Sequence, residues 1–181
     1  MIVLRLAILI SVVALPAMCQ QDSAKQALVP PASCAVTVPP AVRFTPPRPY
    51  PDHVSERGFW LGTEKLWIEL PKSGIWGGWR GPEPGQGGRS GPLTAKLFWM
   101  SVDYDPRREG NPDLKVTGRR LDGEAPPLLA NEATNAGGGT PPAYMVVGVY
   151  VPTPGCWEIT GDYRSQKLSF VVWVTPEKLG W

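Results

Sequence analysis

The spacing of proline and glycine constrains the fold more than any other feature of this sequence. The chain holds 22 prolines and 20 glycines among 181 residues, and no segment keeps a sustained apolar repeat of 3.6 residues. Because proline fixes φ and lacks a backbone donor, it interrupts helices and central strands. This pattern excludes a long-helix protein and predicts short strands joined by turns. The 43% hydrophobic content is enough for one core, which excludes a fully disordered chain.

Residues 1–19 predict a signal peptide. Arg5 supplies a positive charge before an apolar run over residues 6–15, and this run is shorter than the about 20 residues that span a bilayer. We expect cleavage before Gln20. In the alternative interpretation Cys19 carries the lipid of a bacterial lipoprotein, and that anchor would be the protein's membrane contact. Both interpretations predict export to the periplasm, the envelope or the cell exterior.

Two further cysteines predict one disulfide. An even pair in an exported protein favours a bridge between Cys34 and Cys156 over two buried free thiols. Cys34 lies in a proline-rich N-terminal arm, residues 20–57, where eight of the 22 residues from Pro30 to Pro51 are proline. We expect this arm to run as polyproline II over the domain, pinned by the disulfide. Two cysteines and one distant histidine do not form a tetrahedral ligand set, so no metal or other cofactor is expected.

Residues 58–181 predict an all-β domain. Its clearest signal is a C-terminal hairpin with strands at 156–163 and 167–174, and four earlier β runs are predicted near residues 65–70, 94–100, 114–120 and 144–151. Roughly seven strands in about 125 residues, separated by proline and glycine turns, indicate an antiparallel, immunoglobulin-like β-sandwich. A small barrel is the alternative fold.

Alternation in the hairpin predicts where the disulfide lies. Phe170 and Val174 share one face of the last strand, and Trp157 and Ile159 face inward on the strand before it. Cys156 therefore faces outward. We expect the bridge on the outer face or edge of the sandwich, unlike the buried inter-sheet bridge of antibody domains.

Several segments resemble exported bacterial proteins of unknown function. They are GFWLGTEKLW, VTGRRLDGEAPPL, ATNA, and GCWEIT followed by LSFVVWV, spread over most of residues 58–175. In addition, PTPGCW at residues 152–157 resembles the loop that precedes the penultimate strand of immunoglobulin-like domains. The resemblance implies export and architecture, and it transfers no functional residue.

Charge and catalytic motifs disfavour two classes of function. The net charge is only +2, and aromatic residues do not interleave with the two arginine doublets, so nucleic acid is not an expected partner. The single histidine, His53, lies in the arm, and no Gly-x-Ser-x-Gly motif accompanies it. We therefore predict that the protein is not an enzyme, with a hydrolase as the third-ranked alternative.

Acidic residues between Asp103 and Asp113 raise the question of a calcium site. Calcium prefers six to eight oxygen ligands from such loops. However, Arg107 and Arg108 lie among these acids and the EF-hand spacing is absent. A solvated turn between two strands is the preferred interpretation.

Eight tryptophans make aromatic binding the strongest functional hypothesis. The principal candidates are Trp76, Trp79 and Arg80, because they lie in a glycine-rich segment, residues 74–91, that is expected to form a mobile loop. Trp67 and Trp173 are secondary candidates because they fall on the polar-alternating faces of their strands. The alternative is that Trp76 and Trp79 fold back and cover an open end of the sandwich.

These patterns favour an exported, non-enzymatic β-sandwich that acts as a protein-interaction or structural module of the cell envelope. Its expected partner is an envelope protein or a glycan. A carbohydrate-binding module that uses exposed tryptophans is the alternative function.

Overall fold

The computed structural model describes residues 29–52, 54–77, 79–80, 93–136 and 142–175, with the backbone alone described at 79–80. This part of the chain contains strands and no helix. The strands are β1 (Gly58–Gly62), β2 (Trp67–Pro71), β3 (Ile75–Gly77), β4 (Trp79–Arg80), β5 (Leu93–Met100), β6 (Lys115–Arg120), β7 (Leu129–Ala130), β8 (Thr134–Ala136), β9 (Tyr144–Val151), β10 (Gly155–Tyr163) and β11 (Gln166–Thr175). A search of the described residues for a helix able to cross a membrane finds none.

The strands form two sheets, which confirms the expected all-β sandwich. The larger sheet has the order β1-β2-β5-β9-β7, with β4 also beside β5 and β8 also beside β9. The smaller sheet has the order β3-β11-β10-β6. The pairs are antiparallel as expected, with one exception among the described strands: β3 runs parallel to β11. Four of the eleven strands are only two or three residues long, and segments that short carry no periodic signal.

Alternating side chains from the two sheets build the core. In β9 the residues Met145, Val147, Val149 and Val151 are buried, and their neighbours are only half-buried. Phe170, Val172, Val174, Trp157 and Ile159 contribute from the smaller sheet, as the hairpin pattern predicts. Burial of each such side chain stabilises the fold by roughly 1.5–3 kcal/mol.

The C-terminal hairpin has a tighter turn than expected. β10 and β11 pair continuously from Gly155 opposite Val174 to Tyr163 opposite Gln166, which leaves two loop residues instead of three. Arg164 and Ser165 have φ values of 49° and 66°. A two-residue turn that follows the strand twist requires positive φ at both positions.

The disulfide between Cys34 and Cys156 is present, as predicted. Cys156 alternates with the core residues Trp157 and Ile159 and faces away from the core, and both cysteines are buried. Beside the bridge, the Thr37 N–H donates to the Val171 carbonyl (2.8 Å) and the Val171 N–H donates to Thr37 Oγ1 (2.8 Å). The bridge indicates that the chain folds in an oxidising, non-cytoplasmic location.

Farther along, the arm covers the outer face of the larger sheet and forms a second, smaller core. Tyr50 stacks edge-on against Trp67, with ring centroids 4.7 Å apart, and its hydroxyl donates to the Ser101 carbonyl (3.0 Å). Trp60 and Met100 complete this cluster, and Phe44 and Val54 pack against it. The arm thus touches the outer faces of both sheets.

Candidate functional site

An opening in the larger sheet separates β2 from β5. β2 pairs with β5 only at Trp67–Met100 and Ile68–Trp99, and β4 pairs with the far end of β5 at Thr94 and Leu93. Between these contacts the chain leaves the sheet after Pro71, forms β3 in the smaller sheet, and returns as β4. Among the described residues, no strand lies beside Ala95–Phe98 on this edge of β5.

A turn at residues 71–74 produces the opening. Gly74 has a φ of 65°, and a side chain there would collide with Val36, since an added Cβ would lie 2.6 Å from that valine. The Gly74 N–H donates to the Pro71 carbonyl (3.0 Å), and the Gly74 carbonyl accepts from the Trp173 N–H (2.9 Å). These bonds redirect the chain onto β11. A glycine is required because its φ is one that other residues rarely adopt.

The resulting β2–β5 cleft has a volume of about 730 Å³, within the range of roughly 300–1,000 Å³ that is usual for binding sites. Core residues form its floor, and these are Leu70, Leu97, Trp76, Phe170 and Val172. The lining also includes Trp60 and Met100 of the second core, while Phe98 and Tyr144 lie at the mouth with the polar Arg57, Glu69 and Lys96. The floor of the cleft is therefore apolar, and its mouth carries both apolar and polar side chains.

Phe98 gives the mouth an exposed apolar surface. Its side chain is 46% exposed and contacts the edge of Tyr144, with ring centroids 6.2 Å apart. Val146 lies opposite Phe98 on β9 and is half-buried. Exposed aromatic surface beside an apolar cleft is typical of interaction sites.

The two charged residues nearest the open edge differ in their contacts. Glu69 Oε1 accepts hydrogen bonds from the Ser55 hydroxyl (2.6 Å) and from the Ser55 N–H (3.2 Å). Lys96 is exposed and makes no hydrogen bond or ion pair within the described part of the chain. Lys96 therefore offers a positively charged donor at the mouth that no described residue engages.

The structure does not gather the predicted aromatic candidates at one surface. Trp76 is only 8% exposed and lines the floor of the cleft, in agreement with the alternative in which it covers the core. The expectation that Trp67 is exposed is wrong: it is fully buried because the arm covers its face of β2. Trp173 is half-buried, opposite Cys156 on the outer side of the other sheet. The backbone of Trp79 and Arg80 lies beside β5, and their side chains are outside the described part.

The expectation of a mobile loop over residues 74–91 is also wrong for the first residues of that segment. Ile75–Gly77 forms β3 and pairs with β11, since Trp76 lies opposite Val174. Residues 81–92 lie outside the described residues, as do His53, Cys19 and the whole of the predicted signal peptide.

The acidic segment from Asp103 to Asp113 is held by arginines and backbone groups. The hydrogen bond from Arg107 lowers the pKa of Asp105. Burial raises the pKa of Glu109, but hydrogen bonds from the Tyr163 hydroxyl (2.7 Å), the Asp113 N–H (2.9 Å) and Arg164 (2.7 Å) outweigh it and lower the pKa overall. Within the described ranges no cluster of metal-ligating side chains occurs. These contacts attach the loop to the tip of the β10–β11 hairpin.

The sequence did not single out Lys96, Phe98 and Tyr144 as candidate binding residues, and the structure places all three at the mouth of the β2–β5 cleft. The signal available was the alternation in β5, where Lys96 and Phe98 point away from the core and Leu97 and Trp99 point into it. Comparison of the chain with family models, with curated proteins and with solved structures found no match.

Proposed function

We propose that this protein is an exported, non-catalytic, immunoglobulin-like module that binds another protein of the cell envelope through the β2–β5 cleft. One observation carries the proposal: among the described residues no strand pairs with one edge of β5, and this edge borders an apolar cleft of about 730 Å³ with aromatic residues at its mouth. The main-chain groups of an open edge can pair with another polypeptide.

The composition of the mouth supports a protein partner. Aromatic side chains are enriched at protein interfaces, and Phe98 and Tyr144 present such a surface next to Lys96. The polar groups would form the rim, and the floor of the cleft would accept an apolar anchor from the partner.

A protein partner is favoured over a glycan by the burial of the indoles. Sugar-binding surfaces stack carbohydrate rings on exposed aromatic faces. Among the indoles that the structure describes, those of Trp60, Trp67, Trp76, Trp99 and Trp157 are buried and that of Trp173 is half-buried.

The proposal of export rests on two independent features. The disulfide between Cys34 and Cys156 is typical of oxidising compartments, and residues 1–19 have the pattern of a signal peptide. Mass spectrometry of the mature protein tests this directly. A free N-terminus at Gln20 or a lipid on Cys19 would support export, and an intact N-terminus would contradict it.

Site-specific photo-crosslinking in the native host tests the binding site. A benzoyl-phenylalanine replaces Phe98 in one variant and Leu121 in the matched control, since Leu121 is similarly exposed (42% against 46%) but follows β6 of the other sheet. We expect a discrete adduct from position 98 that is absent from position 121 and is lost when Tyr144→Ser is added. Equal labelling at both positions, or no adduct at position 98, would contradict the proposed site.

A further inference from the structure

We infer that the partner presents an extended segment that pairs with Ala95–Phe98 of β5 as an added strand and carries the pattern aromatic, large apolar, acidic. This inference rests on the proposed function and names the chemistry of its partner. It follows from the strand edge, from the alternation of β5, and from the charge at the mouth.

The strand edge determines the length of the segment. β2 leaves β5 after the Ile68–Trp99 pair, and β4 joins β5 at Thr94. The open interval between them, Ala95–Phe98, spans about 13 Å at about 3.3 Å per residue. An extended segment of three or four residues fits this interval and would satisfy the main-chain groups of the edge.

Alternation in β5 determines the central residue of the segment. Residues directly opposite one another on neighbouring strands direct their side chains to the same face of the sheet. Because Leu97 faces the core, the partner residue opposite it would enter the cleft. There it meets Leu70, Phe170 and Val172, so a large apolar side chain is required.

The two flanking residues would face outward, one beside Lys96 and one beside Phe98. Lys96 has no partner within the described part of the chain, whereas Glu69 already accepts a hydrogen bond from Ser55. An acidic side chain is therefore complementary beside Lys96. Beside Phe98 and Tyr144 an aromatic side chain continues the existing edge contact.

The direction of the segment follows from its neighbours. β2 and β4, which lie on the same edge of β5, both run antiparallel to it. A segment that is also antiparallel to β5 meets Phe98 first and Lys96 last. The pattern in order from the N-terminus is then aromatic, large apolar, acidic.

Blocked synthetic pentapeptides test the inference on the full oxidised protein. The probes are acetyl-Ser-Phe-Leu-Glu-Ser-amide and the matched acetyl-Ser-Phe-Leu-Lys-Ser-amide, each titrated into wild-type protein and into Lys96→Glu while amide NMR shifts are followed. We expect shifts centred on Ala95–Phe98 and Glu69–Pro71. The wild type should prefer the Glu peptide two- to fivefold, as for an exposed ion pair, and Lys96→Glu should reverse this preference. Both preferences should weaken as salt is raised.

Each contrary outcome identifies which idea fails. Equal binding of both peptides to both proteins would overturn the assigned acidic residue and leave the proposed function standing. Absence of shifts at the β5 edge, with the crosslink from position 98 retained, would overturn strand addition alone. Loss of both the shifts and the crosslink would overturn the inference and the proposed function together. Shifts at the cleft with a cello-oligosaccharide but with neither peptide would assign the site to a glycan and overturn both.

Discussion

Substitution of Gly161 by alanine tests the packing of the two sheets against each other. Gly161 lies on the inward face of β10, and an added Cβ would lie 2.5–2.8 Å from three ring atoms of Trp99 on the opposite sheet. Ordinary contacts begin near 3.4 Å, so the indole would have to move. Trp99 is fully buried and packs against Phe170, with ring centroids 6.0 Å apart, which leaves it no open space to move into.

The expected cost follows from these contacts. Overpacking of a core costs about 1–3 kcal/mol, and the loss of glycine's freedom in the unfolded chain offsets roughly 0.4–1 kcal/mol of it. We expect Gly161→Ala to lower the free energy of unfolding by about 1–2 kcal/mol. For a chain of this length the melting temperature should fall by roughly 2–8 °C.

Urea unfolding followed by tryptophan fluorescence measures the effect. Gly110→Ala is the matched control, because an added Cβ there meets no atom within 4 Å, and we expect its stability to be unchanged or slightly raised. Trp99→Phe in the Gly161→Ala background should recover part of the loss, since the smaller ring makes room. If Gly161→Ala were as stable as Gly110→Ala, the described packing between the sheets would be refuted.

Three further predictions concern the disulfide, the hairpin turn and the acidic loop. Joint replacement of Cys34 and Cys156 by alanine should lower the free energy of unfolding by up to about 5 kcal/mol, because the bridge joins residues 122 positions apart; a loss below about 1 kcal/mol in urea unfolding would contradict this. Ser165→Gly should raise the melting temperature and add up to about 1 kcal/mol to the free energy of unfolding, because Ser165 has a positive φ. An unchanged melting temperature in calorimetry would contradict the positive φ at this turn position. The lowered pKa of Glu109 adds stability above its ordinary value of 4.5 that is lost as the pH falls through the lowered value. The free energy of unfolding, measured with urea between pH 6 and pH 3, should therefore decline less steeply in Glu109→Gln than in the wild type. An identical decline in both proteins would show that Glu109 does not contribute to the loss of stability in acid.

The longest strands were predictable from the sequence. Tyr144–Val151 contains four valines, and apolar and polar residues alternate along much of the C-terminal hairpin; both are local signals of a strand. The disulfide was predictable because, once Cys19 is assigned to the predicted signal peptide, the two other cysteines leave one intramolecular pairing. These signals are local or depend only on counting.

The position of Trp67 was not predictable in the same way. Alternation shows that Trp67 and Ile68 lie on opposite faces of β2, but it does not show what covers each face. The arm, which approaches from more than ten residues earlier in the chain, converts the second face into another small core. Burial there depends on a distant segment, so the pattern of β2 alone misassigned it.

The cleft also depends on distant contacts. It exists because the chain after Pro71 pairs with β11, which lies about a hundred residues later. The glycine content of residues 74–91 favours turns, and it does not indicate that Trp76 would enter a strand. A register between distant strands determines whether the larger sheet is open or closed at Ala95–Phe98.

The route of the arm has a consequence for biogenesis. Cys34 is synthesised 122 positions before Cys156, so the covalent closure of the molecule must await synthesis of the β10–β11 hairpin. A newly made chain in a reducing compartment lacks this closure and is correspondingly less stable. If the protein is exported as proposed, the chain would stay easier to unfold before export and would gain this stability only in the oxidising compartment.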